Sequence, residues 1–423
     1  MGDVYKIIVA HPGKHHSFKL ASALKKDVNF QVIYITTVYN KSDSIVMKLI
    51  KNLISKSNRQ RANSRSNPDL ADKEVVQFCQ LGGLFEIFLS RYDKKGNLYS
   101  AWHKRISAKF GIKVAKYAIK NKVNAVICYD TNALSCFSYL ERHAPQISRI
   151  MDAAAASWVY MKEIYELDMQ QNPRFAEKLK EEIGNYINDR HQGYSKKEIA
   201  SSNYILTASN FVKNSYRCSG INAKRIAVCP YGVDLKDFPY KEREIKSNNE
   251  IINFVFTGGT KQLKGISYLL DAFLHIPIEK ASLTIIGKCN LREEILEQYQ
   301  NRVHFTGTVL QSEVSEILQE MDVMIFPSLG DGFGLSAIEA MSCGCPLICS
   351  ENSGIADLVN EGDNGFVIPI QDVDAIIERV KWFIHHRELI PYMGKKAHET
   401  AIKYTWQRYN NTVSDVVKKF VEM

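Results

Sequence analysis

The chain has 423 residues, of which 45% are hydrophobic and 24% are charged. This length predicts two domains of about 150–250 residues each, and the sequence has no apolar run long enough to predict a membrane-spanning helix. The net charge of +9 indicates an anionic partner, which leaves phosphate groups, anionic lipid and nucleic acid open. Nine irregularly spaced cysteines and the lack of a signal-peptide pattern indicate reduced thiols in a cytoplasmic protein.

Short apolar segments alternate with longer helical stretches, which is typical of parallel α/β sheets. In the first half, the apolar segments predict strands at 4–10, 30–36, 124–130, 148–154 and 203–209. In the second half, they predict strands at 252–259, 282–288, 302–309, 322–328, 346–350 and 365–369. The polar stretch 236–250 predicts a linker between two similar halves, and a final helix is expected from about Thr405 to Met423.

Segment 41–65 departs from this alternation because it is strongly basic. It contains seven Lys or Arg residues and one acid, Asp43, and its apolar residues recur at helical spacing from Ile45 to Ile54. One interpretation is an amphipathic helix on an anionic membrane surface. The other is a helix packed on the sheet and followed by a solvated basic loop, and both stay open.

The stretch DGFGLSAIEAMSCGCP places Asp331 before a glycine turn and Glu339 inside the helix that follows. Ligands of parallel α/β sheets bind where strands end and helices begin. Gly332 and Gly334 let the backbone approach a ligand closely, beside a helix N-terminus that favours phosphate or a sugar hydroxyl. The Glu339 carboxylate can accept two hydrogen bonds from a vicinal diol such as ribose. This pattern predicts a nucleotide site.

A second strand–turn–helix segment, FTGGTKQLKGISYLLDAF, indicates the same chemistry. Lys264 lies at its glycine turn, where an amine can neutralise the charge that develops on a departing diphosphate. The alternative for Lys264 is a solvated residue at the start of a helix. A third glycine turn, at Gly232, occurs in CPYGVDLKDF.

Polar loops also follow strands in the first half. In AHPGKHHSF, Gly13 allows a turn, and Lys14, His15 and His16 provide donors for a phosphate or an acceptor. The alternative is that the histidines are ordinary loop residues. Asp152 ends another strand, either as a polar residue of a cleft or as the N-cap of the next helix.

Together, PYGVD, GGTKQLKGISYLLDAF, VHFTGTV, DVMIFPSLGDGFGLSAIEAMSCGCPLICSENSGIADLV and EGDNGFVI resemble glycosyltransferase family 4, most densely over about 200–370. The resemblance implies a retaining enzyme of the GT-B fold, an α/β architecture in which two Rossmann-like domains face a central cleft. The expected acceptor-binding domain covers 1–236, with the helix at about 405–423 packing back on it. The expected sugar-nucleotide-binding domain covers 237–404.

The resemblance also implies roles for the acidic and basic residues. Glu339 matches the second of two family glutamates, which binds the ribose, and Asp331 stands where the first glutamate lies beside the donor sugar. Lys264 matches the family lysine at the diphosphate, whereas Gly259–Thr260 occupies the place of the usual arginine. Lys261 or Lys14 could supply the missing charge, although an ammonium group lacks the bidentate fork of a guanidinium.

In the N-terminal half, Tyr129 and Asp130 stand where family members often carry a histidine near the donor sugar. The nucleotide base is expected around Gly307–Val309. The predicted catalytic residues are Lys264, Asp331, Asp130 and Tyr129. The predicted donor-binding residues are Gly13, Lys14, Gly258, Gly259, Lys264, Gly307, Val309, Gly332, Phe333, Gly334, Leu335 and Glu339.

The resulting expectation is a retaining glycosyltransferase that moves a hexose-type sugar from a nucleotide-diphosphate donor to a glycan or lipid-linked oligosaccharide acceptor. A role in bacterial surface polysaccharide synthesis is expected, in the cytoplasm, with peripheral association at the inner face of the plasma membrane. The alternatives are a catalytically degenerate nucleotide- or glycan-binding homologue and a sugar-nucleotide epimerase. No recognisable nucleic-acid motif accompanies the positive charge, and no metal or other cofactor is expected, because the Asp-x-Asp segment at 372–374 is interpreted as a helix cap.

Overall fold

The computed structural model describes residues 4–13, 17–42, 44, 47, 59, 62–63, 65–93 and 96–423. Lys14, His15 and His16, with most of the basic segment 41–65, lie outside the described residues, so their expected roles stay predictions. Among the residues that the structure describes, no helix combines the length and the apolar character needed to cross a bilayer.

The first sheet has seven parallel strands in the order β3-β2-β1-β4-β5-β6-β7. These are β1 Tyr5–Ala10, β2 Phe30–Thr36, β3 Val75–Gln77, β4 Ala125–Tyr129, β5 Ser148–Ala153, β6 Tyr204–Thr207 and β7 Ile226–Val228. The central strands β4 and β5 are almost entirely buried, as in parallel sheets covered on both faces, and the five predicted strands are present. The edge strands β3 and β7 were missed, since three residues are too few for a pattern to mark them.

The helices that follow these strands complete the N-terminal α/β unit. They are α1 Ser17–Lys25, α2 Gln80–Tyr92, α3 Asn97–Lys120, α4 Leu134–His143, α5 Trp158–Gln171, α6 Pro173–Ile183, α7 Asp189–Ser201 and α8 Asn210–Cys218. Four of them, α1, α4, α5 and α8, begin within a few residues of a strand end, so the loops between strand and helix are short.

The second sheet has six parallel strands in the order β10-β9-β8-β11-β12-β13. These are β8 Ile252–Thr257, β9 Ala281–Ile286, β10 Val303–Gly307, β11 Val323–Phe326, β12 Leu347–Ser350 and β13 Gly365–Ile368. Its helices are α9 Ile266–Leu274, α10 Glu293–Leu296, α11 Gln311–Glu320, α12 Leu335–Ser342, α13 Val373–His385 and α14 Ile390–Ala401, and α15 Trp406–Glu422 ends the chain. All six predicted strands are present with ends shifted by at most two residues.

Two elements connect the units. The hairpin α5–α6 packs into the second unit, where the buried Phe175 and Leu179 share an apolar cluster with Phe254. Helix α15 returns to the first unit, where Phe420 stacks on Tyr204 with ring centroids 4.2 Å apart. Each sheet reverses its strand order once, as Rossmann-like sheets do. The predicted α/β architecture of two such domains facing a cleft is confirmed.

Candidate functional site

The candidate site lies where the strand order of the second sheet reverses. Strands β8 and β11 are neighbours, and the turns that follow them leave the same edge, where parallel α/β sheets bind ligands. Lys264 Nζ in the first turn donates to Asp331 Oδ2 in the second, and it lies 5.5 Å from the centre of the Phe326 ring. The structure therefore pairs two charged residues that the sequence places in separate motifs.

Asp331 is held at its backbone and at its side chain. Its N–H donates to the Asn352 carbonyl at 2.9 Å, and its carbonyl accepts from the Gly354 N–H at 3.0 Å. Its Oδ1 accepts the Phe333 N–H at 3.0 Å, which leaves Oδ2 for Lys264. Phe333 thus contributes its amide to the site, whereas its ring is buried in the core.

The glycine turn after Asp331 touches the N-terminal domain. A Cβ atom on Gly332 would lie 1.9 Å from the Ala154 carbonyl oxygen, and the Ser209 hydroxyl donates to the Gly332 carbonyl at 2.7 Å. Gly334 adopts a φ of 91° immediately before α12, and Leu335 opens that helix half-exposed. A side chain at 332 would therefore overlap the N-terminal domain unless the turn shifted or the two domains separated.

Glu339 lies one turn into α12 and is partly buried. Among the described residues, no group forms a hydrogen bond with its carboxylate. Burial, followed by the negative charge of Asp237, raises the pKa of Glu339 to about 7. A carboxylate that is desolvated without hydrogen-bond donors gains from a ligand that supplies two hydroxyl groups.

Three glycines lie at the ends of adjacent strands β8, β9 and β10. A Cβ atom on Gly287 would lie 2.4 Å from the Gly258 carbonyl oxygen, and both residues have positive φ. Gly307 has a φ of 71° and open space beside it, with the half-buried Val309 two residues on. Gly287 was not among the predicted residues, although a glycine directly after a strand was the available signal.

Gly259 and Thr260 occupy the position at which the resemblance leads us to expect an arginine, and both have structural roles. Thr260 is fully buried, and its hydroxyl accepts the Asn290 N–H at 2.8 Å. A Cβ atom on Gly259 would lie 3.4 Å from the Lys288 carbonyl oxygen. Lys261 is exposed. Lys264 is therefore the cation that this segment brings to Asp331.

On the N-terminal side, Tyr129 and Asp130 end strand β4. The Tyr129 ring is 1% exposed and meets His11 edge-on, with centroids 5.1 Å apart, so its side chain packs in the hydrophobic core. Burial, followed by the charge of Asp152, raises the pKa of Asp130 to about 7. Asp130 can thus exchange a proton near neutral pH.

Glu198 of α7 fixes the loop that follows Asp130. Its carboxylate accepts three backbone N–H groups, from Thr131 at 2.8 Å, Ala133 at 2.7 Å and Leu134 at 3.0 Å. Thr131 has a φ of 70°, so the loop is bent sharply. Burial raises the pKa of Glu198 to about 8. Sequence reasoning missed this residue, since a glutamate far along the chain in an unrelated helix carries no motif.

The loop after β1 reaches the same side of the cleft. The Gly13 N–H donates to His11 Nδ1 at 3.0 Å, which closes a tight turn. The sequence analysis predicted Gly13 but missed His11, because the adjacent pair His15–His16 is the more conspicuous feature of this loop. The His11 ring contacts the Tyr129 ring.

Helix-capping contacts test two interpretations made from the sequence, one for segment 372–374 and one for Asp152. Asp372 Oδ1 accepts the Ala375 N–H at 2.8 Å and caps α13, which confirms the interpretation of segment 372–374 as a helix cap. The N-cap of α5 is Ser157. The capping alternative for Asp152 is therefore wrong, and Asp152 instead raises the pKa of Asp130.

Comparison with known proteins gives consistent results. Residues 252–386 match the family model described as glycosyl transferases group 1. An uncharacterized glycosyltransferase of Methanocaldococcus jannaschii is 25% identical over 231 residues, which are 53% of this chain and 62% of that protein. A putative colanic acid biosynthesis glycosyltransferase of Salmonella typhimurium, WcaL, is 24% identical over 229 residues, which are 51% of this chain and 56% of that protein.

Each of these two matches spans less than two thirds of the relative's own length. Among solved structures, Anabaena HepE in complex with UDP superposes with a TM-score of 0.62 at 12% identity, over 98% of this chain and 100% of that one. This likeness shows the fold. The chain therefore has the GT-B fold, and its residues 252–386 are similar to the glycosyl transferases group 1 family.

Proposed function

We propose that the protein is a retaining glycosyltransferase, which moves a hexose-type sugar from a nucleotide-diphosphate donor to a hydroxyl of a glycan or lipid-linked oligosaccharide in surface polysaccharide synthesis. The observation that carries the proposal is the pair Lys264–Asp331 at the reversal point of the sheet, followed by Glu339. The relative named for colanic acid biosynthesis and the UDP complex of the similar fold support the acceptor and donor classes.

In the proposed reaction, the bond between the anomeric carbon and the diphosphate oxygen breaks, and the acceptor oxygen bonds to that carbon on the same face. The acceptor proton passes to the departing diphosphate, so no protein nucleophile is required. Ionised Glu339 accepts both ribose hydroxyls. Lys264 leaves Asp331 to neutralise the diphosphate, and Asp331 becomes free to accept a hydroxyl of the donor sugar. Asp130 faces the acceptor side, and no metal is required.

The test is a panel of UDP-, GDP- and dTDP-sugars, first in thermal-shift measurements and then in assays of donor hydrolysis without acceptor. We expect one nucleotide to raise the melting temperature and its sugar donor to be hydrolysed slowly. Binding without any hydrolysis or transfer would favour the catalytically degenerate homologue. An epimerised sugar nucleotide would favour the epimerase, and a panel without any stabilising member would contradict the proposed site.

A surface on the N-terminal domain supports the peripheral membrane association. Helix α3 has six exposed basic residues and no acid: Lys104, Arg105, Lys109, Lys113, Lys116 and Lys120. On α2 beside it, Phe85, Phe88 and Tyr92 are 45%, 52% and 67% exposed. The Phe85 ring lies 4.9 Å from the Trp102 ring of α3, so both helices form one surface. We call the surface formed by α2, Gln80–Tyr92, and α3, Asn97–Lys120, the basic aromatic surface.

We infer that the basic aromatic surface lies on an anionic bilayer, with the rings at the interface and the cations at the headgroups. The test is flotation with vesicles of phosphatidylcholine, with and without phosphatidylglycerol. Binding should require the anionic lipid and should be lost in the double variant Phe85→Ser, Phe88→Ser. Ile278→Ser, which removes an exposed apolar side chain elsewhere, is the control. Undiminished binding of the double variant would contradict this inference.

A further inference from the structure

Two carboxylates of the hairpin α5–α6 reach across to the turn that carries Lys264. The turn is the short 3-10 helix Gln262–Lys264. Glu182 lies near the end of α6, and Asp168 lies near the end of α5. Neither residue belongs to the motifs that identified the site, and both are far from it in sequence.

Glu182 binds the first two amides of this turn. Its Oε1 accepts the Gln262 N–H at 3.0 Å, and its Oε2 accepts the Leu263 N–H at 2.9 Å. These amides have no partner within so short a helix, so the carboxylate replaces the missing acceptors. The side chain of Glu182 is 12% exposed, and burial raises its pKa. Lys178 Nζ lies 3.7 Å from Oε1 and partly balances the charge.

Asp168 holds the same turn by its side chain. It is fully buried, and its two oxygens each lie 3.1 Å from the Gln262 side-chain amide. It also accepts the Tyr268 hydroxyl at 2.6 Å from the following helix. Gln262 is thereby fixed at its backbone by one carboxylate and at its side chain by the other.

The hairpin also supports the second turn of the site. Met161 of α5 packs against Gly330, where a Cβ atom would lie 2.5 Å from the Met161 methyl carbon. The two turns are joined to each other as well, because the Ser328 hydroxyl donates to the Leu263 carbonyl at 3.1 Å. The hairpin therefore contacts both turns that present the Lys264–Asp331 pair.

We propose that Glu182 is a positioning residue for Lys264, with Asp168 acting behind it through Gln262. This inference rests on the proposed function, in which Lys264 neutralises the departing diphosphate. By fixing the turn two residues before Lys264, Glu182 sets the direction of the amine toward the place where negative charge develops. A small misplacement there costs rate more than donor affinity.

The first experiment compares Glu182→Gln with Glu181→Gln, its exposed neighbour on α6. In Glu182→Gln, the side-chain NH2 group would face one of the two backbone N–H groups, so one hydrogen bond is lost. We expect kcat to fall about tenfold, while affinity for the sugar nucleotide changes less than about threefold. In a Lys264→Ala background, Glu182→Gln should cause no further loss, because its effect acts through that amine. The same tenfold loss in that background, or an equal loss in Glu181→Gln, would overturn the proposal.

The second experiment does not depend on turnover. Hydrogen exchange is measured on the ligand-free protein in the peptide that contains Gln262 and Leu263. These amides should exchange about tenfold faster in Glu182→Gln and at the wild-type rate in Glu181→Gln. Unchanged exchange in Glu182→Gln would overturn the positioning contact. If this peptide exchanges faster in Glu182→Gln but the wild type neither hydrolyses nor transfers any sugar nucleotide, the proposed function is wrong and the positioning contact is supported.

Discussion

The turns of the C-terminal sheet and the loops of the N-terminal sheet border the same cleft, but they are built differently. The C-terminal turns use glycines where backbones nearly touch, as at Gly287 and Gly332, and they place the amine of Lys264 against Asp331. The N-terminal side instead contains buried carboxyl groups, Asp130 in the loop after β4 and Glu198 in α7, whose pKa values are raised to about 7 and about 8.

This difference separates two kinds of chemistry. Glycine turns that hold an amine at the start of helices favour a ligand that brings negative charge. Carboxyl groups with raised pKa values change their charge near neutral pH, which makes the N-terminal side of the cleft sensitive to pH. The comparison therefore predicts that substitutions in the C-terminal turns change donor use, whereas substitutions in the N-terminal loops change the response to pH.

The largest expected effect is that of Lys264→Ala. Removing the amine leaves the departing diphosphate without its cation, so kcat should fall about 10²- to 10³-fold, with a smaller change in donor affinity. Single-turnover kinetics and donor titration of the variant measure the two quantities. Lys381→Ala, which removes an exposed amine from α13 of the same domain, is the control. Equal losses of rate and affinity would make Lys264 a binding residue only.

The next effect is that of Gly332→Ala, which tests the contact between the two sides. The added methyl group would overlap the Ala154 carbonyl oxygen, so the domains must separate or the turn must shift. We expect kcat/KM to fall about hundredfold because the reacting groups are displaced. Gly193→Ala, where a Cβ atom meets open space in helix α7, is the control and should keep full activity. Full activity of Gly332→Ala would show that this approach is not required.

The same difference explains what the sequence could predict. The central strands were predicted because buried parallel strands are continuously apolar, and the C-terminal turns because glycines beside charged residues are visible in sequence. Gly258 and Lys264 are each close in sequence to the strand that places them. Edge strands β3 and β7 are too short to show a pattern.

The N-terminal side of the site depended on contacts between distant segments. Glu198 meets the loop after Asp130 only because α7 folds beside α4, and no spacing in the chain indicates that contact. His11 and Tyr129 meet because β1 and β4 are neighbours in the sheet. Because burial depends on the folded core, the amino-acid sequence alone could not predict which acidic residues would have raised pKa values.

A smaller effect, about tenfold, should appear when donor affinity is measured against pH. The pKa of Glu339 is about 7 in the free protein, and ribose hydroxyls donate to the ionised form. Affinity should therefore rise with pH and level off above about 7, and at pH 6 it should be about tenfold below the plateau. A sugar nucleotide is the ligand to titrate, since its diphosphate diester does not gain or lose protons in this range. Glu339→Gln should bind weakly and without this pH dependence, and a persistent dependence would contradict the ribose role.

The smallest expected effect is on the stability of the protein, and it tests whether Glu198 on the N-terminal side has a raised pKa. The pKa of Glu198 is about 8 in the folded protein against an ordinary 4.5, so between these values the folded state keeps a proton that the unfolded state loses. The contribution of Glu198 to the free energy of unfolding should therefore be largest below about pH 4.5 and should fall as pH rises toward 8. Glutamine at position 198 cannot ionise, so the stability of Glu198→Gln should fall less steeply with pH than that of the wild type, by about 1 kcal/mol per pH unit.

Denaturant unfolding between about pH 5.5 and 7.5 measures the slopes of stability against pH. Glu181→Gln should keep the wild-type slope, and an unchanged slope in Glu198→Gln would show that Glu198 is ionised throughout.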